Sequence, residues 1–173
     1  AYSYSHLYKL PCIGLRFFTV YGPWGRPDMA PMIFAKSILE EKPIQIFNYG
    51  EMKRDFTFID DIVEGIFRCC EKTSNKKDLS NKINMNFEHF NAPHKIFNIG
   101  NSSPVQLIDF IGILEKALGK KTIKEFQPLQ PGDVLETYAD TSALEEWINF
   151  SPNTPLNEGI DKFANWFIKY YEK

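Results

Sequence analysis

Cysteine is scarce: the 173 residues contain three, at Cys12, Cys69 and Cys70. An odd count with two adjacent members is a poor disulfide framework, because neighbouring cysteines bridge only with strained geometry. There is no CxxC and there are only three histidines, so no metal site of the zinc kind is expected. The three thiols read as unpaired residues of a reducing compartment, which places the chain in the cytoplasm. No apolar run approaches the ~20 residues that a membrane span needs. The opening AYSYSHLYKLPC has neither the basic start nor the long apolar stretch of a secretory leader. An excess of either charge is missing too. Lys and Arg number 20 against 22 Asp and Glu, for a formal net charge of -2, so neither nucleic acid nor a membrane surface is expected as a partner. No glycine-rich GxGxxG turn follows a strand, and no internal repeat is visible.

What is present suits a folded domain. Hydrophobic residues make up 43% and aromatics 15%, enough bulky side chain for a core and too much for whole-chain disorder. At roughly 150 residues per domain, the length fits one domain, or one domain and a fragment. The start reads as the tail of a helix in which His6, Leu7 and Leu10 share a face and Pro11 ends the run. Residues 13–21 are nearly continuous in β-branched and aromatic side chains, which suits a strand buried on both faces of a parallel sheet. A Gly/Pro loop, GPWGRPDMAP, leads to a helix over 31–40. Strands are expected at 44–47, 55–59, 95–99 and 123–126. Asp60 and Asp61 supply an N-cap and first-turn charge to a helix over 62–72, with Ile62, Ile66, Cys69 and Cys70 on one side. Residues 74–92 are polar and Asn-rich and read as an exposed, partly disordered excursion. Ser103-Pro104 is expected to open a helix whose apolar stripe runs from Val105 through Leu107, Ile108, Ile111 and Leu114 to Leu118, with Gly119 as its cap. Helices at 142–147 and 156–171 close the chain. Glu145 and Glu146, like Asp60 and Asp61, read as helix-start charge, not as a catalytic pair. Alternating strands and helices give an α/β class.

Four segments carry a resemblance: LRFFTVYGPWGRPDM (15–29), KRDFTFIDDIVEGI (53–66), IFNIGNSSPV (96–105) and LQPGDVLETYADTS (129–142). In this order and spacing they resemble the C-terminal half of the extended short-chain dehydrogenases/reductases, the NAD-dependent epimerases and dehydratases of nucleotide sugars. GPWGRPDM and QPGDV are wording shared with the UDP-glucuronate 4-epimerase branch. The resemblance implies a fold of two parts. Residues 1–22 and about 55–102 would be the last strands and a helix of an NAD-binding Rossmann domain. Residues 23–54 and about 103–173 would form a small mixed α/β substrate-binding domain. It implies epimerisation at C4 between UDP-glucuronate and UDP-galacturonate, through a 4-keto intermediate with NAD bound. A 4,6-dehydratase, a decarboxylating relative and a stand-alone nucleotide-sugar binding module are the alternatives.

The family's glycine-rich loop and its helical Tyr-x-x-x-Lys pair would precede Ala1, and no such pair stands at the first helix. The chain is therefore expected to look truncated, to hold no catalytic residue of its own and to be inactive alone. NAD would be held mainly by the absent half. The family's homodimer interface, which uses the Tyr-x-x-x-Lys helix, would be lost or altered.

Residue by residue, the resemblance implies substrate contacts from Thr19, Arg26, Met29, Lys36, Phe47, Arg54 and Asp133, and nicotinamide contacts from Phe17 and Val20. The chemistry is consistent. Arg54 offers a planar fork to a diphosphate, the alternative being a surface pair with Asp55. Arg26, in the loop beyond a strand's carboxyl end, suits a sugar carboxylate, the alternative being a pair with Asp28. Thr19 supplies a hydroxyl beside that carboxylate. Phe47 would cover a uracil, Met29 and Lys36 would line the pocket, and Asp133 would accept the ribose hydroxyls. Gln130 stands where many relatives carry an arginine, which leaves a second phosphate contact in doubt.

Overall fold

A computed structural model describes residues 1–74 and 92–171. The expectation of an exposed, partly disordered excursion at 74–92 falls almost wholly outside the described residues.

Helix α1 (Tyr2–Tyr8) ends at Lys9 in the left-handed conformation, two residues before Pro11. Its expected apolar face is not buried: Leu7 and Leu10 are exposed, and the helix buries Ser5 instead. The run at 13–21 is two strands, not one. Strand β1 (Cys12–Phe17) pairs in parallel with β5 (His94–Ile99), and after Phe18 the chain changes partner, so that β2 (Thr19–Tyr21) pairs in parallel with β4 (Lys53–Phe58). The double burial expected for this run is also absent. Strand β1 is half-buried at best and Phe17 is exposed, because among the described residues β1 and β5 form a sheet of only two strands.

Helix α2 (Ala30–Leu39) begins with Pro31 in its first turn, where a missing amide costs nothing. Strand β3 (Pro43–Ile46) runs into a 3-10 turn (Phe47–Gly50) and then into β4. Helix α3 (Ile59–Ser74) starts at Ile59, so Asp60 and Asp61 lie inside its first turn and do not cap it. Their charge still faces the positive end of the helix dipole. Ile62 and Cys69 are buried on α3, but Ile66 and Cys70 are exposed.

Pro104 does not open a helix. Pro104–Gln106 is β6, antiparallel to β4 with Arg54 opposite Val105, and α4 (Leu107–Leu118) begins after it. On α4 Leu107, Ile111, Leu114 and Leu118 are buried while Ile108 is exposed. Gly119 caps the helix at φ 67, a conformation glycine adopts without strain. Strand β7 (Ile123–Phe126) pairs in parallel with β3. Helices α5 (Ser142–Ile148) and α6 (Leu156–Tyr171) follow.

The larger core cluster packs α2, α4 and α6 against β2 and β4, with Tyr21, Phe34, Ile38, Phe56, Phe110 and Phe163 among its members. Phe56 stacks on Phe110 at 4.1 Å between centroids. A second cluster joins Ile62 and Cys69 of α3, Phe97 and Ile99 of β5, and Leu144 and Ile148 of α5. Between them runs β4, which carries the polar residues described next.

Candidate functional site

A cavity of about 630 Å³ opens beside the β3–β7 sheet and the start of α2. Thr19, Met29, Phe47, Arg54 and Asp133 all line it, although the sequence scatters them over five elements and loops. Met29 precedes α2 in extended conformation, and its carbonyl accepts the amides of Met32 and Ile33. Phe47 opens the 3-10 turn after β3, where Gln127 N donates to Ile46 O and Tyr49 N donates to Gln127 O.

Arg54 and Asp133 meet at the cavity wall. Arg54 Nη2 donates to Asp133 Oδ1 at 2.7 Å, and Arg54 Nη1 donates to the carbonyl of Lys53 at 2.9 Å. The pair is mostly buried, with side-chain exposures of 16% and 30%, so its attraction is weakly screened. The expected alternative, Arg54 with Asp55, does not occur. Asp55 points the other way and is fully buried. Its carboxylate accepts the amides of Asn101 at 3.1 Å and of Ser102 and Ala139 at 3.0 Å. Its own amide donates to Thr137 Oγ1. Asp55 thus clamps the 137–139 segment to β4, and that segment carries the arm holding Asp133. No local signal in the sequence marks this role, because the partners lie 46–84 residues away.

Arg26 and Lys36 do not line the cavity. Arg26 is exposed, with its guanidinium forked on Asp28, Nε to Oδ1 at 3.0 Å and Nη2 to Oδ2 at 2.5 Å, and Asp28 itself lines the cavity. That hydrogen bond holds the Asp28 carboxyl below the usual range and raises the arginine. Lys36 is exposed and lies 4.0 Å from Glu40, one turn along α2. Ser37, Gln45 and Glu125 line the cavity and were not singled out from sequence. Gln45 and Glu125 are register partners across β3 and β7, a pairing between distant segments that no local pattern announces. Three carboxylates, Asp28, Glu125 and Asp133, therefore line the cavity with one arginine, Arg54, and Arg54 and Arg26 are each engaged by an aspartate.

Phe17 and Val20 sit apart from this cavity. Phe17 is half exposed at the carboxyl end of β1, and Val20 packs partly against the second core cluster. An exposed phenyl ring at that place is an apolar surface of the kind on which a flat heterocycle stacks. Among the described residues no GxGxxG turn between a strand and a helix is present to hold a dinucleotide's phosphates. The residues here fit one edge of that cofactor and no more.

Tyr21 is unsuited to accept a proton at neutral pH, since burial, then Asp61 and Glu158, push its hydroxyl up. A Tyr-x-x-x-Lys spacing does occur at Tyr49 and Lys53, but it crosses the 3-10 turn into β4, and Lys53 pairs with Glu136 at 3.8 Å.

Against known proteins, residues 1–100 match the NAD dependent epimerase/dehydratase family. The chain is 48% identical over 173 residues to Protein CapI of Staphylococcus aureus, covering 100% of this chain and 52% of that protein. It is 41% identical over 174 residues to a probable UDP-glucuronate 4-epimerase of Rhizobium meliloti, covering 100% of this chain and 51% of the relative. Among solved structures it superposes on UDP-glucuronic acid 4-epimerase of Bacillus cereus, in complex with UDP-glucuronic acid and NAD. That match has a TM-score of 0.79 and 32% identity, over 98% of this chain and 49% of the other. The chain thus spans about half the length of the curated relatives it matches. With a family match over more than half its length, on an α/β fold that superposes on solved epimerases, this chain belongs to the NAD dependent epimerase/dehydratase family.

Proposed function

We propose that the cavity binds a UDP-sugar, UDP-glucuronate or UDP-galacturonate, and that this chain is the nucleotide-sugar-binding part of an NAD-dependent 4-epimerase. The observation that carries the reading is the convergence of Thr19, Met29, Phe47, Arg54 and Asp133 on one cavity. Arg54 contacts the diphosphate by its fork, Asp133 accepts ribose hydroxyls and Phe47 covers the uracil. Arg26 leaves Asp28 for the sugar carboxylate, which Thr19 meets with a hydroxyl hydrogen bond. Exchanging an aspartate for a ligand anion costs an arginine little, because one charge-assisted pair replaces another. Lys36 adds a mobile positive charge at the rim.

When bound, NAD supplies the hydride acceptor and donor at C4. Phe17 and Val20 would offer it an apolar edge. No residue of this chain is assigned the proton transfer. In this reading residues 1–22 and about 55–102 belong with the NAD-binding part, residues 23–54 and about 103–173 with the substrate part, and the assembled enzyme is a cytoplasmic homodimer. No helix among the described residues is long and apolar enough to cross a membrane.

The test is calorimetric titration of the chain with UDP, UDP-glucuronate, UDP-glucose and UMP. The reading expects both diphosphates of uridine-sugars and UDP itself to bind, and UMP to bind at least tenfold more weakly. Equal affinity for UMP and UDP would remove the diphosphate contact on which it stands.

A further inference from the structure

Trp24 lies in the loop between β2 and α2, and three features set it apart. Its φ is 62°, a left-handed conformation that a bulky side chain adopts only when its surroundings hold it there. It is 74% exposed, much for the largest apolar side chain. Its ring nevertheless has partners. It meets Tyr170 edge-on at 5.1 Å and Trp166 at 5.5 Å, both on α6. Those two stack on each other at 5.2 Å and 20°, and Trp166 continues to Phe163 and Phe167 in the core. The ring is thus seated on a fixed aromatic ladder.

The rest of the loop is tied mainly to itself. Gly25 N donates to Gly22 O and Met29 N to Arg26 O, and the Arg26–Asp28 pair closes within the loop and is exposed at both ends. Gly22 holds φ 141, and a Cβ there would collide with Ile59, so the loop leaves β2 along one path. Two residues later Trp24 meets α6, and beyond it come Arg26, paired with Asp28, and Asp28 and Met29 in the cavity wall.

We infer that Trp24 is a positioning residue that latches the 22–29 loop to α6 and so sets the sugar end of the cavity. The inference rests on the UDP-sugar reading for its consequence but not for the latch itself. Strain at one residue is offset by two ring contacts, and the loop's orientation becomes a property of α6. Arg26 and Met29 are held where a sugar can reach them without the loop having to order on binding. The diphosphate end, built by β4 and the Asp133 arm, does not depend on the latch.

Two measurements on Trp24→Ala and Trp24→Phe test it. Hydrogen exchange of the chain without any ligand should show the amides of residues 24–29 exchanging about tenfold faster in Trp24→Ala, with β4 and α4 unchanged. Titration should show UDP-glucuronate affinity falling roughly 3- to 10-fold while UDP stays within about twofold. Trp24→Phe should recover most of both. Unchanged loop exchange overturns the latch. Equal losses for UDP and UDP-glucuronate overturn it also, as does loss of protection in β4 and α4 alike, since Trp24 would then serve the whole fold. If the unaltered chain binds neither nucleotide, the preceding functional reading fails, and the exchange measurement still decides the latch.

Discussion

Replacing Arg54 by alanine separates a binding role from a structural one, because the two carry different magnitudes. In the free chain the guanidinium holds Asp133 at 2.7 Å and the Lys53 carbonyl at 2.9 Å. Deleting it leaves Asp133 without its cation. At 30% exposure that carboxylate can recover part of its hydration, so the stability cost is about 1–2 kcal/mol. Binding loses more. A charge-assisted fork on a diphosphate, in a site 16% open at the arginine, is worth about 2–4 kcal/mol, or roughly 30- to 1,000-fold in affinity. UDP and UDP-glucuronate should lose nearly the same factor, because the contact is to the part they share. Arg54→Lys keeps a positive charge but not the planar fork, and should fall between. The assay is calorimetry for affinity beside thermal unfolding for stability. UDP affinity within twofold of the parent, with the expected stability loss, would make Arg54 a strut for the Asp133 arm and nothing more.

Three further outcomes are expected. Arg26→Ala should weaken UDP-glucuronate about ten- to a hundred-fold and UDP-glucose little, measured by the same titration, because the carboxylate is the group it serves; equal losses would leave Arg26 as a loop residue only. Glu115, buried on α4, accepts Lys124 Nζ at 2.7 Å, the Thr122 amide at 3.0 Å and Lys121 Nζ at 3.2 Å. Burial pushes its carboxyl up, but these partners outweigh it and hold it below the ordinary glutamate range. Its stabilisation is therefore full above the unfolded pKa of about 4.3 and is lost as pH falls through the lower folded value. Glu115→Gln should lower Tm by roughly 5–10 °C near neutrality and by less below about pH 4, by calorimetric scan. Cys70 is exposed, while burial and the neighbouring Cys70 raise the Cys69 thiol to about 11. A thiol reagent at about pH 8 should therefore label Cys70 at once and Cys69 only on unfolding, read by mass spectrometry of the peptides.

The elements legible in the sequence are those whose signal is local. Helices α2 and α6 carry their apolar residues at helical spacing, and Gly119 marks the end of α4 because only a left-handed residue closes that turn. The misreadings share a physical cause. Pro104–Gln106 looks like a helix start but is pulled into a strand by β4, some fifty residues earlier. The apolar run at 13–21 says strand, but not that it changes partners at Phe18. Leu7, Leu10, Ile66 and Cys70 satisfy a helical pattern and lie exposed, since a pattern names a face and not what covers it. Five of the residues that the family resemblance singles out line one cavity. Their gathering in one cavity follows from β3–β7 and β2–β4 pairing, which no local rule gives. The Arg54–Asp133 pair and the Asp55 clamp belong to the same class, since each joins segments about eighty residues apart.

Hydrogen exchange of the chain with and without saturating UDP tests the central claim most directly, because it reports both whether the nucleotide binds and where. The account predicts slowed exchange in three separate segments: 44–47 at the end of β3, 53–56 on β4, and 132–137 on the Asp133 arm. Residues of α3 and α5 should not change. No protection anywhere, or protection centred instead on the open cavity around Tyr49, Asp109 and Glu136, would contradict it.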